Sequence, residues 1–140
     1  MNADLMECAQ CLCLASRQAA RSITRAFDRK LRPHGIRATQ FSALIQLSLR
    51  GALTIGALAK FLGVERTTLT RNLELLAVKR WVKIEVGDDA RSRVVSITGK
   101  GNAAVMAAVG AWREAQGAAL AKIGSSGAKA IRALAQVEMQ

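Results

Sequence analysis

Residues 53–76 run Leu53-Thr54-Ile55-Gly56-Ala57-Leu58-Ala59-Lys60-Phe61-Leu62-Gly63-Val64-Glu65-Arg66-Thr67-Thr68-Leu69-Thr70-Arg71-Asn72-Leu73-Glu74-Leu75-Leu76. Thr54 is placed to cap a short helix over 55–62, whose inward side is Ile55, Leu58, Ala59 and Leu62. Gly63 stands where a helix closes on a left-handed residue, so the chain can reverse within a few residues. A second helix follows from Arg66 to Lys79, with Leu69, Leu73 and Leu76 on one face. Ala59 is small enough to let the two helices cross closely, and Leu58, Leu62, Val64, Leu69 and Leu73 fill the angle between them. The pattern is a helix-turn-helix. Its second helix keeps a polar face of Arg66, Thr67, Thr68, Thr70, Arg71 and Glu74. Arginine pairs bidentately with guanine, and threonine bonds phosphate or touches a thymine methyl, so this face suits a DNA major groove.

Immediately downstream the period changes from helical to alternating. Trp81 to Val86 alternates at period two and reads as a half-buried strand. Gly87-Asp88-Asp89-Ala90 is turn chemistry, and Arg93 to Ile97 reads as the returning strand. The hairpin tip carries Arg91 and Arg93, which suit the narrow, strongly negative minor groove. Asp89 would oppose DNA there unless it orients an arginine. Thr98 is placed to cap a long helix over 99–123, followed by a Gly124–Gly127 loop and a last helix over 128–139.

Upstream, residues 8–32 read as one long helix with Leu12, Ala15, Ala19, Ile23, Ala26, Phe27 and Leu31 at three- and four-residue spacing. Arg17, Arg21, Arg25 and Arg29 form a separate stripe, which reads first as a solvated face. Pro33, His34 and Gly35 end the helix, and Thr39 is a plausible cap for the next, over 40–50. The fold class is therefore mainly α with a small β-hairpin wing.

Charge agrees with a polyanionic partner. The 140 residues hold 21 basic and 10 acidic side chains, a net charge of +11. Residues 1–50 carry +5, residues 51–101 carry +4, and residues 102–140 only +2. There is no apolar run of membrane-spanning length and no secretory leader at the start, so no membrane association is expected and the expected compartment is the cytoplasm.

From Thr39-Gln40-Phe41 to Gly101 the chain resembles the MarR family of bacterial winged-helix regulators. The resemblance is carried by Leu58-Ala59, Thr68-x-Thr70-Arg71, Trp81-Val82, Asp89-x-Arg91 and Ile97-Thr98-x-x-Gly101. It implies a winged helix-turn-helix with N- and C-terminal dimerisation helices: one regulator domain over 1–140, with a DNA-binding lobe at 36–101 and dimerisation helices at 5–33 and 102–140. It further implies a homodimer on a palindromic double-stranded DNA operator, acting as a repressor released by a small aromatic or phenolic effector. The DNA-binding candidates are Thr54, Arg66, Thr67, Thr68, Thr70, Arg71, Arg91 and Arg93, with Asp89 as wing support. Two departures stand out. Arg80 occupies a place where the family usually has glycine, so the recognition helix is expected to end differently. Ala90 stands where a second wing arginine is common.

Dimerisation has its own physical basis, since Val105, Val109, Trp112, Leu120 and Ile131 would stay partly exposed on a lone chain. Cys8, Cys11 and Cys13 are odd in number and crowded, which argues against a disulfide framework, and His34 is too distant to complete a zinc site. No metal and no cofactor are expected. A branch of the same family senses hydroperoxides through a cysteine near the start of its first helix, which makes Cys11 and Cys13 candidates for redox sensing; that branch uses tyrosine hydroxyls, and this chain has no Tyr. A non-specific architectural DNA-binding protein is the reading favoured by charge alone. Neither a phosphate-binding glycine loop nor a Ser-His-Asp set is present, so no catalytic residues and no enzyme are expected.

Overall fold

The computed structural model describes residues 2–138. The elements in order are α1 (Ala3–Cys8), α2 (Leu12–Leu31), a 3-10 turn (Arg32–His34), α3 (Ala38–Arg50), β1 (Leu53–Thr54), α4 (Ile55–Leu62), α5 (Arg66–Val78), β2 (Val82–Val86), β3 (Arg93–Ile97) and α6 (Gly99–Leu134). The fold is mostly helical with one small antiparallel sheet of order β1-β3-β2.

The chain forms two compact units. One holds the chain up to Lys30 and from Ala111 onward; the other is Leu31–Gly110. The second unit contains the helix-turn-helix. Its core is built from Leu31, Ile36, Leu44, Leu47, Leu58, Leu73, Leu76 and Val95, all essentially without solvent exposure. Burying each such side chain contributes roughly 1.5–3 kcal/mol. Ile55, Ala59, Leu69 and Val82 close the same core, so the helical and period-two apolar patterns point to one place.

Caps fix the ends of the helix-turn-helix elements. Thr54 Oγ1 accepts from Ala57 N at 3.1 Å, and Gly63 is left-handed (φ 67°, ψ 35°). α3 begins two residues earlier than a cap at Thr39 would place it. Arg37 is its capping residue, and the Gln40 side chain accepts from Arg37 N at 3.0 Å, so Thr39 lies inside the first turn. β2 and β3 pair from Val82 opposite Ile97 to Val86 opposite Arg93. β1 adds Leu53 opposite Val95. Two residues are too short a run for periodicity to reveal, and β1 is absent from the sequence reading.

Further helix boundaries differ from expectation. The 8–32 helix is split, because α1 ends at Cys8 and α2 starts only at Leu12. The expected loop at 124–127 is a single non-helical residue, Gly124 (φ 72°, ψ 172°), inside α6. A left-handed glycine breaks the hydrogen-bond ladder without any further loop. Helical structure ends at Leu134 rather than 139, and residue 139 lies outside the described residues.

α5 closes without a glycine. Arg80 is left-handed (φ 62°), and it is the one non-glycine with positive φ among the described residues. Trp81 N donates to Leu76 O at 3.0 Å and Arg80 N to Ala77 O at 2.9 Å, the bonds of a left-handed helix terminus. The different ending expected from Arg80 is therefore not found. Lys79 Nζ donates to the Gly35 carbonyl and lies 4.5 Å from the centre of the Trp81 ring, which ties the 3-10 turn to the base of the wing.

Candidate nucleic-acid interface

α5 sorts its side chains by face. Leu69, Leu73 and Leu76 are buried, while Arg66, Thr67, Arg71 and Glu74 are exposed. Arg66, Thr67, Thr70, Arg71 and Glu74 together line one concave patch. The Thr70 hydroxyl donates to Arg66 O at 2.9 Å, so its proton is engaged within the helix and its remaining outward chemistry is a lone pair and a methyl. Among the described residues, the Arg71 guanidinium makes no hydrogen bond or ion pair. The Arg66 guanidinium reaches back toward Gly56, in the first turn of α4.

Thr68 is not on this face. It lines a separate, mostly apolar groove with Thr39, Ser42, Leu62, Val64 and Asn72. On that side Gln40, the one buried polar residue among the described residues, donates to Asn72 Oδ1 at 3.4 Å. The bridge joins the start of α3 to the middle of α5 and holds the helix about its own axis. Sequence reading missed Gln40, although a glutamine three residues after a helix start is a recognisable capping signal. Thr54 lies apart from the patch too. Its oxygen caps α4, and its neighbours are wing residues such as Glu85, Gly87 and Val94.

The wing tip is held by backbone contacts. Asp89 Oδ1 accepts from Arg91 N at 3.0 Å, and Asp89 O accepts from Ser92 N and Ser92 Oγ, both at 2.9 Å. Asp89 thus shapes the turn through the Arg91 backbone, while the Arg91 guanidinium stays without a partner among the described residues. Arg93 differs: its Nη1 donates to Ala90 O at 2.9 Å and Ser92 O at 3.0 Å, which folds it onto its own turn. On β2, Lys83 pairs with Glu85 at 2.9 Å; that hydrogen bond and the carboxylate charge hold the lysine above its ordinary range.

Elsewhere, Cys8, Cys11 and Cys13 are free and exposed, and Arg17 Nη1 donates to Cys13 Sγ at 2.9 Å. No group of three or more metal-ligating side chains occurs among the described residues. No helix among them is long and apolar enough to cross a membrane.

A family model described as MarR family matches residues 34–92. The uncharacterised HTH-type transcriptional regulator YwoH of Bacillus subtilis (strain 168) is 33% identical over 81 residues, 58% of this chain. That match spans 59% of the length of the curated relative. Among solved structures, the M. tuberculosis transcriptional regulator MosR in complex with DNA is 43% identical, covers 90% of this chain and 94% of that one, and has a TM-score of 0.78. MosR in a second structure is matched at 40% identity over 92% and 96% of the two chains, with a TM-score of 0.81. Reduced AbfR bound to DNA is matched at 27% identity over 79% and 81%, with a TM-score of 0.67.

Proposed function

Because the chain belongs to the MarR family of transcriptional regulators, we propose that it is a sequence-specific repressor that binds a palindromic duplex as a homodimer. In this reading residues 36–101 form the DNA-binding lobe, and 5–33 with 102–140 form the dimerisation helices. α5 enters the major groove with Arg66, Thr67, Thr70 and Arg71 toward it, and the wing sets Arg91 in the adjacent minor groove. Thr54 and Arg93 would meet the backbone, Arg93 after leaving its turn, and Thr68 would sit at the groove edge. The observation that carries the reading is the outward face of α5, where guanidinium and hydroxyl groups converge without internal partners for Arg71. DNA would supply those partners, and its phosphates would favour a chain of charge +11. The protein would share the cytoplasm with its target DNA.

The dimer is supported by apolar exposure. Leu12 is 84% exposed, and Leu120, Ile123, Ile131 and Leu134 are all exposed on α6. Val105, by contrast, is buried within the chain. Apolar exposure on this scale suits a surface that a second copy would cover. Release by a small aromatic or phenolic effector rests on the family resemblance.

Purified protein should bind the DNA upstream of its own reading frame over a scrambled duplex by about 1,000-fold or more, at about 0.15 M salt. Equal binding to all duplexes would overturn the specific reading in favour of an architectural role.

A second reading is favoured by the Arg17–Cys13 contact. An exposed sulfur held by a guanidinium is the setting in which thiols react with peroxides. In that case oxidation at Cys11 or Cys13 is the releasing signal, in place of a bound effector.

A further inference from the structure

Glu74 is the one acid on the concave patch of α5, beside Arg66, Thr67, Thr70 and Arg71. It is exposed, and its carboxylate makes no hydrogen bond or ion pair among the described residues. It does not neutralise Arg71 or Arg66, the cations that share the patch with it. A free carboxylate on a surface that meets phosphates repels them, and this one also loses its water on docking. A hydrogen-bond donor on the DNA would offset that cost.

The major groove offers few such donors. Guanine presents N7 and O6 acceptors, thymine presents O4, and adenine sets its N7 acceptor next to the N6 amine. Cytosine presents the N4 amine alone. Residues three apart on a helix lie roughly 5–6 Å apart at Cβ, so Arg71 and Glu74 stand side by side on α5. Base pairs are spaced by about 3.4 Å along the duplex, so the two side chains meet the same or adjacent pairs.

We propose that Glu74 is a specificity-determining residue, accepting from cytosine N4 within one base-pair step of the guanine taken by Arg71. Its contribution is exclusion as much as attraction, because guanine and thymine face the carboxylate with acceptors, and adenine offers its amine only beside the N7 acceptor, which repels the second carboxylate oxygen. This rests on the reading of α5 as the major-groove helix. Glu74 is solvent-exposed and outside the core, so its substitution leaves the fold in place.

The test is selection from a randomised duplex library with the full-length wild type, Glu74→Ala and Glu74→Gln. The wild type should enrich a cytosine beside a guanine in each half-site. Glu74→Ala should flatten the preference at the cytosine alone, and should bind duplexes altered there about tenfold more tightly than the wild type does. Glu74→Gln, which carries a donor as well as an acceptor, should shift the preference toward adenine. Unchanged preferences in Glu74→Ala would overturn the proposal while leaving the interface reading intact. Loss of the guanine preference instead would also overturn it, since Glu74 would then act only by orienting Arg71. A wild type that selects no sequence would overturn the interface reading and this proposal with it.

Discussion

The Thr98 hydroxyl donates to the Arg80 carbonyl at 2.7 Å and accepts from Gly101 N at 3.0 Å. One oxygen therefore fastens the end of the recognition helix to the first turn of α6. Thr98 N adds a bond to Trp81 O at 3.0 Å, and a Cβ at Gly101 would collide with that same carbonyl oxygen. This clasp explains how a left-handed arginine persists where glycine would be easier. Thr98→Val should cost about 1–3 kcal/mol, because Gly101 N is then left buried without its cap. The denaturant midpoint measures it; an unchanged midpoint would mean that water replaces the hydroxyl.

Arg80→Gly should act in the opposite direction. A left-handed non-glycine residue costs roughly 1–2 kcal/mol, part of which glycine returns through its freer unfolded chain. A net gain of about 0.5–1 kcal/mol is expected, a rise of a few degrees in Tm for a domain of this size. Thermal scans at equal protomer concentration would show it.

Gln40→Ala removes a buried bridge. It leaves Arg37 N and Asn72 Oδ1 without their partner and opens space beside α5. The expected loss is about 1–3 kcal/mol of stability, read from urea unfolding. Gln40→Glu keeps the acceptor for Arg37 N and loses the donor to Asn72, so it should fall between the two.

Arg71→Ala and Arg91→Ala should separate base from phosphate contacts. Arg71→Ala is expected to weaken operator binding by about 1–3 kcal/mol and to relax one position of the site. Arg91→Ala should weaken binding more evenly across sequences and reduce the salt slope by about 1. Titrations at several salt concentrations distinguish the two, and wild-type values from both variants would remove these residues from the interface.

Oxidation provides a further check. If thiol chemistry is the releasing signal, peroxide should abolish operator binding by the wild type, and thiol reductant should restore it. Cys13→Ser and Cys11→Ser should each blunt the response. Persistent binding of the oxidised wild type would leave a bound effector as the releasing signal.

The helix-turn-helix was legible because three independent signals coincide there. The cap at Thr54, the left-handed Gly63 and the 3.6-residue spacing of Leu69, Leu73 and Leu76 all specify the same geometry. The hairpin was legible for the same reason, with a change of period bounded by turn residues. What escaped depends on atoms far apart in sequence or on backbone choices with more than one solution. Thr68 and Thr70 are two residues apart and chemically alike, yet a helix turns by roughly 200° between them, so only one joins Arg71. Arg93 looks like Arg91 in composition, but carbonyls of its own turn capture it. β1 owes its existence to pairing with β3 rather than to any local preference.

The strand order has a mechanical meaning. β3 lies between β2 and β1, and β1 runs directly into α4. A load applied at the hairpin tip therefore travels along β3 into Leu53–Thr54 and on to the scaffold that braces the recognition helix. The ribbon behaves as a cantilever with a clamped base, not as a hinged arm. The reach from tip to helix is thus a fixed span, and duplexes whose adjacent grooves are spaced differently would have to deform themselves to fit it.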